Sequence, residues 1–279
     1  MEIKYSFTYW GSDHLSPSQF IQNIHAAGFD GAELFLTPTD AISKEFMLAI
    51  DAIRKANPDF YFITLQLPFP QQETAAAHIQ VMAENYRKLA DLQPLFINSH
   101  TGRDYFSFDD NCRIIDAAMN FSVKNGVRIL HETHRGRFSF HAASLLPYLK
   151  KFPEMELVGD FSHFCTVSES MLADQHEILQ QIIPHVAHIH ARVGFEQGPQ
   201  VNDPQAPEWQ GHLQQFASWW QQIIDARKLA GQSLFTITPE FGPAPYMPTA
   251  PYSRRALSNQ WDNNVFIREY LLRLLRERS

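Results

Sequence analysis

Four residues with metal-binding side chains each end an apolar, strand-like run between residues 127 and 240. These residues are Glu132, Asp160, His190 and Glu240. Successive members are about one strand–helix unit apart, and the last interval is longer. Two glutamates, one aspartate and one imidazole form a mostly oxygen donor set. Such a set suits Mn²⁺, Mg²⁺, Co²⁺ or Zn²⁺ and argues against copper or an iron–sulfur cluster. The pattern therefore predicts a site for one divalent ion.

The apolar runs that end at these residues are part of a longer alternation of strand-like and helix-like segments. The candidate strands are Ile3–Tyr9, Phe29–Phe35, Tyr61–Leu65, Leu95–Ser99, Val127–Glu132, Glu156–Asp160, Val186–His190 and Leu234–Pro239. Helical patterns lie between them; Ser16 and Pro17 form a cap for the first helix, and Asp109 or Asp110 is a candidate cap for a later helix that stops at Gly126. Eight strand–helix units in 279 residues predict a single α/β domain over 1–279, a (β/α)8 TIM barrel. A doubly wound sheet is disfavoured, because no GxGxxG or GxxxxGK[ST] motif occurs.

The strand ends of a parallel barrel all meet at one face, so four consecutive ends can converge on one ion. Two long loops, at about 191–207 and 241–258, follow the last two strands at that face. Barrel enzymes keep their active sites there. The first of these loops is either a substrate lid or a contact in a homo-oligomer, and the sequence does not separate the two.

Each candidate ligand also has a structural interpretation when it is taken alone. Asp160 can be a helix N-cap with no metal-binding role. A lone histidine at 188 or 190 can be a hydrogen-bonded core residue. Strand alternation places His188, His190 and Arg192 on one face, with His190 nearer the strand end. We therefore expect His190 to be the ligand and His188 to lie one layer deeper. The coincidence of four strand ends favours the metal site over four separate structural roles.

Polar and aromatic residues at further strand ends are candidates for substrate binding. They are Trp10, Gln66, His100, His134, His163 and Arg192. Core packing is an equally good interpretation of Trp10. Pairing with loop carboxylates is the alternative for Arg192.

The composition argues against several classes of function, although a local basic groove for nucleic acid stays open. A net charge of −7 gives no electrostatic basis for binding nucleic acid or an anionic membrane. Two cysteines exclude a disulfide scaffold, and no run approaches the length of a membrane helix. The first residues carry charge and no apolar run, so we expect no signal peptide. The expectation is a cytoplasmic enzyme of carbohydrate metabolism with a small-molecule partner.

The ordered motifs GFDGAELF, ILHET, GDFSH, HIH and TPEFG resemble the xylose isomerase-like TIM barrel superfamily. Its sugar phosphate isomerase/epimerase branch includes ketose 3-epimerases and inosose dehydratases, and apurinic endonucleases are related. The resemblance implies one divalent ion held by Glu132, Asp160, His190 and Glu240. It further implies that Glu132 and Glu240 form the catalytic acid/base pair and that His163 contacts substrate.

Departures from related patterns narrow the expected reaction. No lysine occurs near these strand ends, which argues against a hydride-shift aldose isomerase. Gln66 stands at the end of strand three, where a three-zinc endonuclease has histidine, and Asp203 with Gln205 stands where Asp-x-His is needed. We therefore predict a metal-dependent sugar isomerase or epimerase that transfers a proton α to a carbonyl through a metal-stabilised enediolate. The alternatives are a metal-dependent phosphodiesterase or apurinic endonuclease-like hydrolase, a sugar-derivative dehydratase on the same site, and a ligand-binding barrel without turnover.

Overall fold

Eight parallel strands close into a barrel in sequence order, with β1 paired to β8. The computed structural model describes residues 1–37, 40–67 and 74–276, so 38–39, 68–73 and 277–279 of the predicted domain lie outside the described residues. The strands are β1 (Glu2–Thr8), β2 (Gly31–Leu34), β3 (Tyr61–Gln66), β4 (Ile97–Ser99), β5 (Ile129–Glu132), β6 (Leu157–Gly159), β7 (Val186–Ala191) and β8 (Leu234–Pro239). The predicted (β/α)8 barrel is thus confirmed.

The helices form the outer layer of the barrel. Those in the described ranges are α1 (Pro17–Ala26), α2 (Ala41–Arg54), α3 (Ala75–Ala90), α4 (Phe108–Asn125), α5 (Ala142–Lys151), α6 (Phe161–Ser168), α7 (His176–Ile182), α8 (Gln210–Leu229) and α9 (Gln260–Arg276). Two of them, α6 and α7, follow the same strand, β6. Among the helices of the described ranges, none is both long and apolar enough to cross a bilayer.

Local capping explains where two of these helices begin. Ser16 and Gln19 form a capping box before α1, with Pro17 at the first helical position, as the sequence predicts. Helix α4 is capped by Ser107, which accepts a hydrogen bond from the Asp110 backbone N–H at 3.1 Å. The expectation that an aspartate caps α4 is therefore wrong. Asp109 and Asp110 instead lie in the first turn, where a negative charge interacts favourably with the helix dipole.

An apolar plug fills the barrel interior beneath the C-terminal face. It consists of Tyr61, Ile63, Phe96, Leu130, Val158 and Ala187. Because side chains alternate along a strand, the residue two positions after an interior residue also points inward. Leu130 is thus followed by Glu132 on β5, and Val158 by Asp160 just after β6. The plug supports a layer of polar side chains at the open end of the barrel.

Candidate active site

The four predicted metal ligands form one buried cluster at the ends of β5 to β8. His190 Nδ1 lies 2.9 Å from Glu240 Oε2 and 3.8 Å from Glu132 Oε2. Asp160 belongs to two overlapping sets of ligand atoms within 4.8 Å of one another, one containing Glu132 and the other containing His190 and Glu240. All four side chains are buried. The barrel therefore brings together the residues that were predicted from the ends of the strands.

Glu33 on β2 fixes the orientation of the His190 ring. Its two carboxylate oxygens lie 3.0 and 3.1 Å from His190 Nε2. A carboxylate accepts, so Nε2 donates, and in the neutral ring Nδ1 then carries the lone pair. Among the described residues, neither Nδ1 of His190 nor Oε2 of Glu240 has a hydrogen-bond partner, although the two atoms are close. Two buried ligand atoms that share one region in this way fit a bound cation.

The electrostatics of His190 lead to the same conclusion. Burial lowers the pKa of His190, but the negative charges of Glu240, Glu33 and Glu132 outweigh burial and hold that pKa well above its ordinary value. The same negative potential favours a divalent cation at this position, because a nearby positive charge stabilises the ionised carboxylates. The donor set and the potential thus both fit a divalent metal ion.

The two carboxylate oxygens of Asp160 have different roles: one caps a helix and the other contacts the cluster. Its Oδ1 accepts hydrogen bonds from the Ser162 backbone N–H at 3.0 Å and from the Ser162 hydroxyl at 2.6 Å, which caps α6. Its Oδ2 pairs with the Arg192 guanidinium. Burial raises the pKa of Asp160 to about 6, and Arg192 opposes that rise. Asp160 is therefore the N-cap of α6 and also a member of the cluster that could hold an ion.

Glu132 is held by donors from the neighbouring strand β4. Asn98 Nδ2 donates to Glu132 Oε2 at 2.7 Å and to Glu33 Oε1 at 3.2 Å, and His100 Nε2 lies 3.0 Å from Glu132 Oε2. Burial alone would raise the pKa of Glu132, but the charges of His100 and His190 and the His100 hydrogen bond hold it well below its usual range. Glu132 is therefore an ionised carboxylate, and Asn98 links it to Glu33.

Three histidines predicted to bind substrate stack beside this cluster. The ring centroids of His100 and His134 are 4.5 Å apart, and those of His134 and His163 are 4.0 Å apart. Burial lowers the pKa of His134 and of His163 well below the ordinary value, so both rings are neutral near pH 7. Neutral imidazoles can donate or accept hydrogen bonds to sugar hydroxyl groups without adding charge.

Arg192 is an integral part of the cluster. It pairs with Asp160, and its NH1 lies 3.4 Å from Glu240 Oε2. Its NH2 donates to His163 Nε2 at 3.0 Å, and the guanidinium lies 4.7 Å from the centre of the Tyr246 ring. Arg192 thus bridges the carboxylates that follow β6 and β8, so the predicted alternative of pairing with carboxylates is realised within the site.

A cavity of about 510 Å³ opens over the cluster. It is lined by Thr8, Tyr9, Trp10, Asp13, Glu33, Phe35, Thr37, Asp40, Ile42, Leu65, Leu67, His100, Glu132, His134, Arg192, Glu240 and Tyr246. Trp10 packs edge-to-face on Tyr246, with ring centroids 4.9 Å apart. A Cβ atom on Gly242 would come within 2.2 Å of the Trp10 ring, so only glycine allows this ring position. Trp10 therefore lies at the cavity, as predicted.

Of the predicted substrate residues, His163 is fully buried and does not line this cavity, and neither does Gln66. Ser99 Oγ donates to Gln66 Oε1 at 2.9 Å, and the Gln66 side chain borders a neighbouring cavity with Val81 and Lys88 of α3. Leu65 and Leu67, one position on either side, border both cavities. The pleat of β3 therefore turns Gln66 toward the helix layer.

The long loop after β7 is a packed wall of the barrel end. Val193 and Val201 within it are fully buried. Gln200 exchanges two hydrogen bonds with the Gly242 backbone in the loop after β8, at 2.7 and 3.1 Å. The loops at 191–207 and 241–258 are therefore hydrogen-bonded to each other. Tyr246 of the second loop lines the cavity.

Three residues of the site were assigned no role from the sequence: Glu33, Asn98 and Tyr246. The sequence could have indicated a role for Glu33, because an acidic residue within the apolar run GFDGAELF needs a polar partner when it is buried. Tyr246 had none, because a proline-rich loop has no periodicity that fixes a side chain's direction.

Comparisons with known proteins agree with this architecture. No family model matches the chain, and no curated protein matches its sequence. Among solved structures, a xylose isomerase domain-containing protein from Salmonella typhimurium matches with 12% identity and a TM-score of 0.65, over 98% of this chain and 99% of that chain. A xylose isomerase-like TIM barrel protein from Mycobacterium smegmatis, in complex with magnesium, matches with 11% identity and a TM-score of 0.62, over 98% and 96%. A 3-keto-D-glucoside 4-epimerase from E. coli matches with 12% identity and a TM-score of 0.58, over 97% and 99%. The fold of this chain is therefore that of the xylose isomerase-like TIM barrel proteins.

Proposed function

We propose that this chain is a divalent-metal-dependent isomerase or epimerase of sugars or sugar derivatives. The observation that carries the proposal is the arrangement of two buried glutamates, Glu132 and Glu240, on the outer pair of four adjacent strands, with Asp160 and His190 between them. Two carboxylates that flank one region can remove a proton from a substrate carbon and return one from another direction. The 3-keto-glucoside epimerase and the magnesium complex that share this fold support the proposal.

Glu132, Asp160, His190 and Glu240 would hold the metal ion, since their ligand atoms converge and two of these atoms have no hydrogen-bond partner. A bound divalent ion supplies a positive charge that polarises a carbonyl and stabilises negative charge on its oxygen. Glu33 holds the ring of His190 in the orientation that leaves Nδ1 available to the ion.

Glu132 is the base in this scheme. Its pKa lies well below the usual range, so its carboxylate is ionised and accepts the proton from the carbon α to the carbonyl. Asn98 and His100 both contact Oε2, so the side chain is held in place while it accepts the proton. Glu240, after taking up a proton from water, would return one to the opposite face of that carbon or to the next carbon. Its Oε2 has no hydrogen-bond partner within the described residues, and the side chain lines the cavity.

The remaining residues orient the substrate. His100 and His134 line the cavity and present imidazole nitrogens to substrate hydroxyl groups, while Trp10 provides a flat apolar surface for a sugar ring. Arg192 neutralises part of the charge of Asp160 and Glu240.

Solvent deuterium exchange tests the proposal. A panel of ketoses is incubated in D₂O with Mn²⁺-loaded protein, and deuterium at the carbon α to the carbonyl is measured by NMR. We expect incorporation by the wild type, its loss in Glu132→Gln and Glu240→Gln, and no change in Glu208→Gln, whose side chain is exposed. Metal occupancy is measured in every variant, which separates lost chemistry from lost metal. Turnover without deuterium incorporation would refute proton exchange with solvent, and cleavage of abasic DNA that depends on His100 would favour a hydrolase.

A further inference from the structure

The lining of the active-site cavity combines two chemically different groups of side chains. Glu132, Glu240 and the histidines lie at the ends of β4, β5 and β8, and six apolar or aromatic side chains come from β1 to β3 and the segments that follow them. These are Tyr9, Trp10, Phe35, Ile42, Leu65 and Leu67. Phe35 is 53% exposed, Ile42 54% and Trp10 37%, although large apolar side chains are usually buried. Their clustering at one cavity mouth indicates an apolar binding surface.

The charge of the cavity is strongly negative. Its lining contains the carboxylates of Asp13 and Asp40 near the mouth, in addition to Glu132 and Glu240. Of the lining residues that the structure describes, Arg192 is the permanently cationic one, and it already pairs with Asp160 and Glu240. In sequence, 38–39 and 68–73 contain no lysine or arginine.

The arginines nearest to the cavity already have partners. The guanidinium of Arg135 lies 4.9 Å from the centre of the Tyr246 ring. Arg137 NH2 donates to His100 Nδ1 at 3.3 Å. Neither Arg135 nor Arg137 is among the lining residues, so a phosphate or carboxylate on the substrate would meet the carboxylates near the mouth, and the lining cation Arg192 is already paired. Like charges in a partly desolvated site strongly disfavour binding.

We propose, on the basis of the function proposed above, that the substrate is an uncharged keto sugar that carries an apolar group, as the aryl glycoside of a keto sugar does. Phenyl glucoside carries the same apolar group without the carbonyl, so it reports binding and not turnover. The sugar's polar edge faces the metal cluster, and the apolar group packs against Trp10 and Phe35. The cavity volume agrees with this assignment, because pockets of about 300–1,000 Å³ hold ligands of drug size. Specificity thus arises from aromatic packing and from electrostatic exclusion of anionic sugars.

Binding measurements on the Mn²⁺-loaded full chain test this assignment. Calorimetric titrations compare phenyl glucoside with methyl glucoside, and glucose with glucose phosphorylated at its primary hydroxyl. We expect phenyl glucoside to bind about 5- to 10-fold more tightly than methyl glucoside. We expect the phosphorylated sugar to bind at least about 10-fold more weakly than glucose.

Variants assign each preference to its residues. Phe35→Ala removes an exposed ring and should reduce the phenyl preference to about twofold or less, whereas Leu48→Ala, on the exposed side of α2, should preserve it. Asp13→Asn combined with Asp40→Asn should reduce the difference in binding affinity between glucose and its phosphate. Asp59→Asn removes one negative charge just before β3, at the opposite end of the barrel, and should leave this difference in affinity unchanged.

Three results would overturn the inference: equal binding of phenyl and methyl glucoside, equal or tighter binding of the phosphorylated sugar, or no glycoside binding by fully metal-loaded protein. These failures are distinct from failure of the proposed function. Deuterium exchange into a sugar phosphate, for example, would preserve the isomerase or epimerase and reject only the uncharged substrate. Absence of exchange together with normal aryl glycoside binding would preserve the substrate class and reject the reaction.

Discussion

Removal of Glu33 should weaken metal binding although Glu33 is not among the four proposed ligands. Its two oxygens lie 3.0 and 3.1 Å from His190 Nε2, on the ring edge opposite the proposed ligand atom Nδ1. Glu33→Gln retains the shape and one acceptor oxygen but removes the charge. Glu33→Ala removes both, so the imidazole loses the partner that fixes its tautomer and its rotation.

The expected magnitude follows from this contact. Loss of a carboxylate that orients a metal-binding histidine typically reduces metal affinity by about 10- to 100-fold. That range corresponds to about 1.4–2.7 kcal/mol of binding free energy. We expect Glu33→Gln near the lower end, because it still accepts from Nε2, and Glu33→Ala near the upper end, because Asn98 Nδ2 also loses one of its two acceptors.

The assay is titration of chelator-treated protein with Mn²⁺ or Zn²⁺ by calorimetry, with the melting temperature of the metal-free protein measured in parallel. Asp30→Asn is the matched control, because Asp30 directly precedes β2 at the opposite end of the barrel and accepts from the Tyr5 backbone N–H. A merely structural role for Glu33 would lower the melting temperature and leave the metal dissociation constant unchanged.

A double-mutant cycle isolates the coupling. If Glu33 acts through His190, then Glu33→Ala should reduce metal affinity in the wild type and have little further effect in His190→Ala. A dissociation constant within twofold of wild type for Glu33→Ala would refute the reasoning. Equal losses in both backgrounds would show that Glu33 acts on the metal by another route.

Three further predictions test the wall of the cavity, a peripheral ion pair and the metal. Gly242→Ala should displace the Trp10 ring, which would alter tryptophan fluorescence and reduce turnover by up to about 100-fold. An unchanged fluorescence spectrum would contradict this prediction. Burial opposes ionisation of Glu156, but its hydrogen bonds and ion pair with Arg128 outweigh burial and lower its pKa below the ordinary 4.5. This group therefore stabilises the fold above about pH 4.5 and loses that effect as the pH falls below it. Glu156→Gln should lower the free energy of unfolding by about 1 kcal/mol at pH 7 and by less in acid, as denaturant titrations at two pH values would show. Chelation should lower the melting temperature, because an ion at about 100 times its dissociation constant stabilises the folded state by about 2.7 kcal/mol; an unchanged melting temperature would contradict a bound metal.

The sequence predicts the barrel well because strand periodicity and chain length leave few alternatives. Eight apolar runs with helical segments between them fit a closed parallel barrel, and the residue that ends an inward-facing row then points to the barrel mouth. This reasoning places Glu132 and His190 at one end of the barrel without any knowledge of tertiary contacts. It also places His188 one layer deeper, where its ring contacts Thr236 and Thr238.

Features set by single-residue offsets or by loops are not predictable in this way. Gln66 was expected at the cavity, but a shift of one position in the pleat turns it toward α3. An aspartate was expected to cap α4, but the N-cap is Ser107, because several adjacent residues are each able to cap a helix. The loop contact between Gln200 and Gly242 joins segments without periodicity, so no local pattern indicates it.

The arrangement of charge explains why these features belong to one functional unit. Four buried carboxylates, from Glu33, Glu132, Asp160 and Glu240, lie in one connected cluster with a single buried arginine. Burial of carboxylates is costly unless each is paired or hydrogen-bonded. Asn98 and Ser162 satisfy individual oxygens, while Arg192 and the protonated His190 offset only part of the negative charge of the four carboxylates. A divalent cation shared among these side chains, as proposed above, would balance the negative charge that remains in the interior. Metal affinity and the stability of the barrel end should therefore change together when any one of the four carboxylates is neutralised.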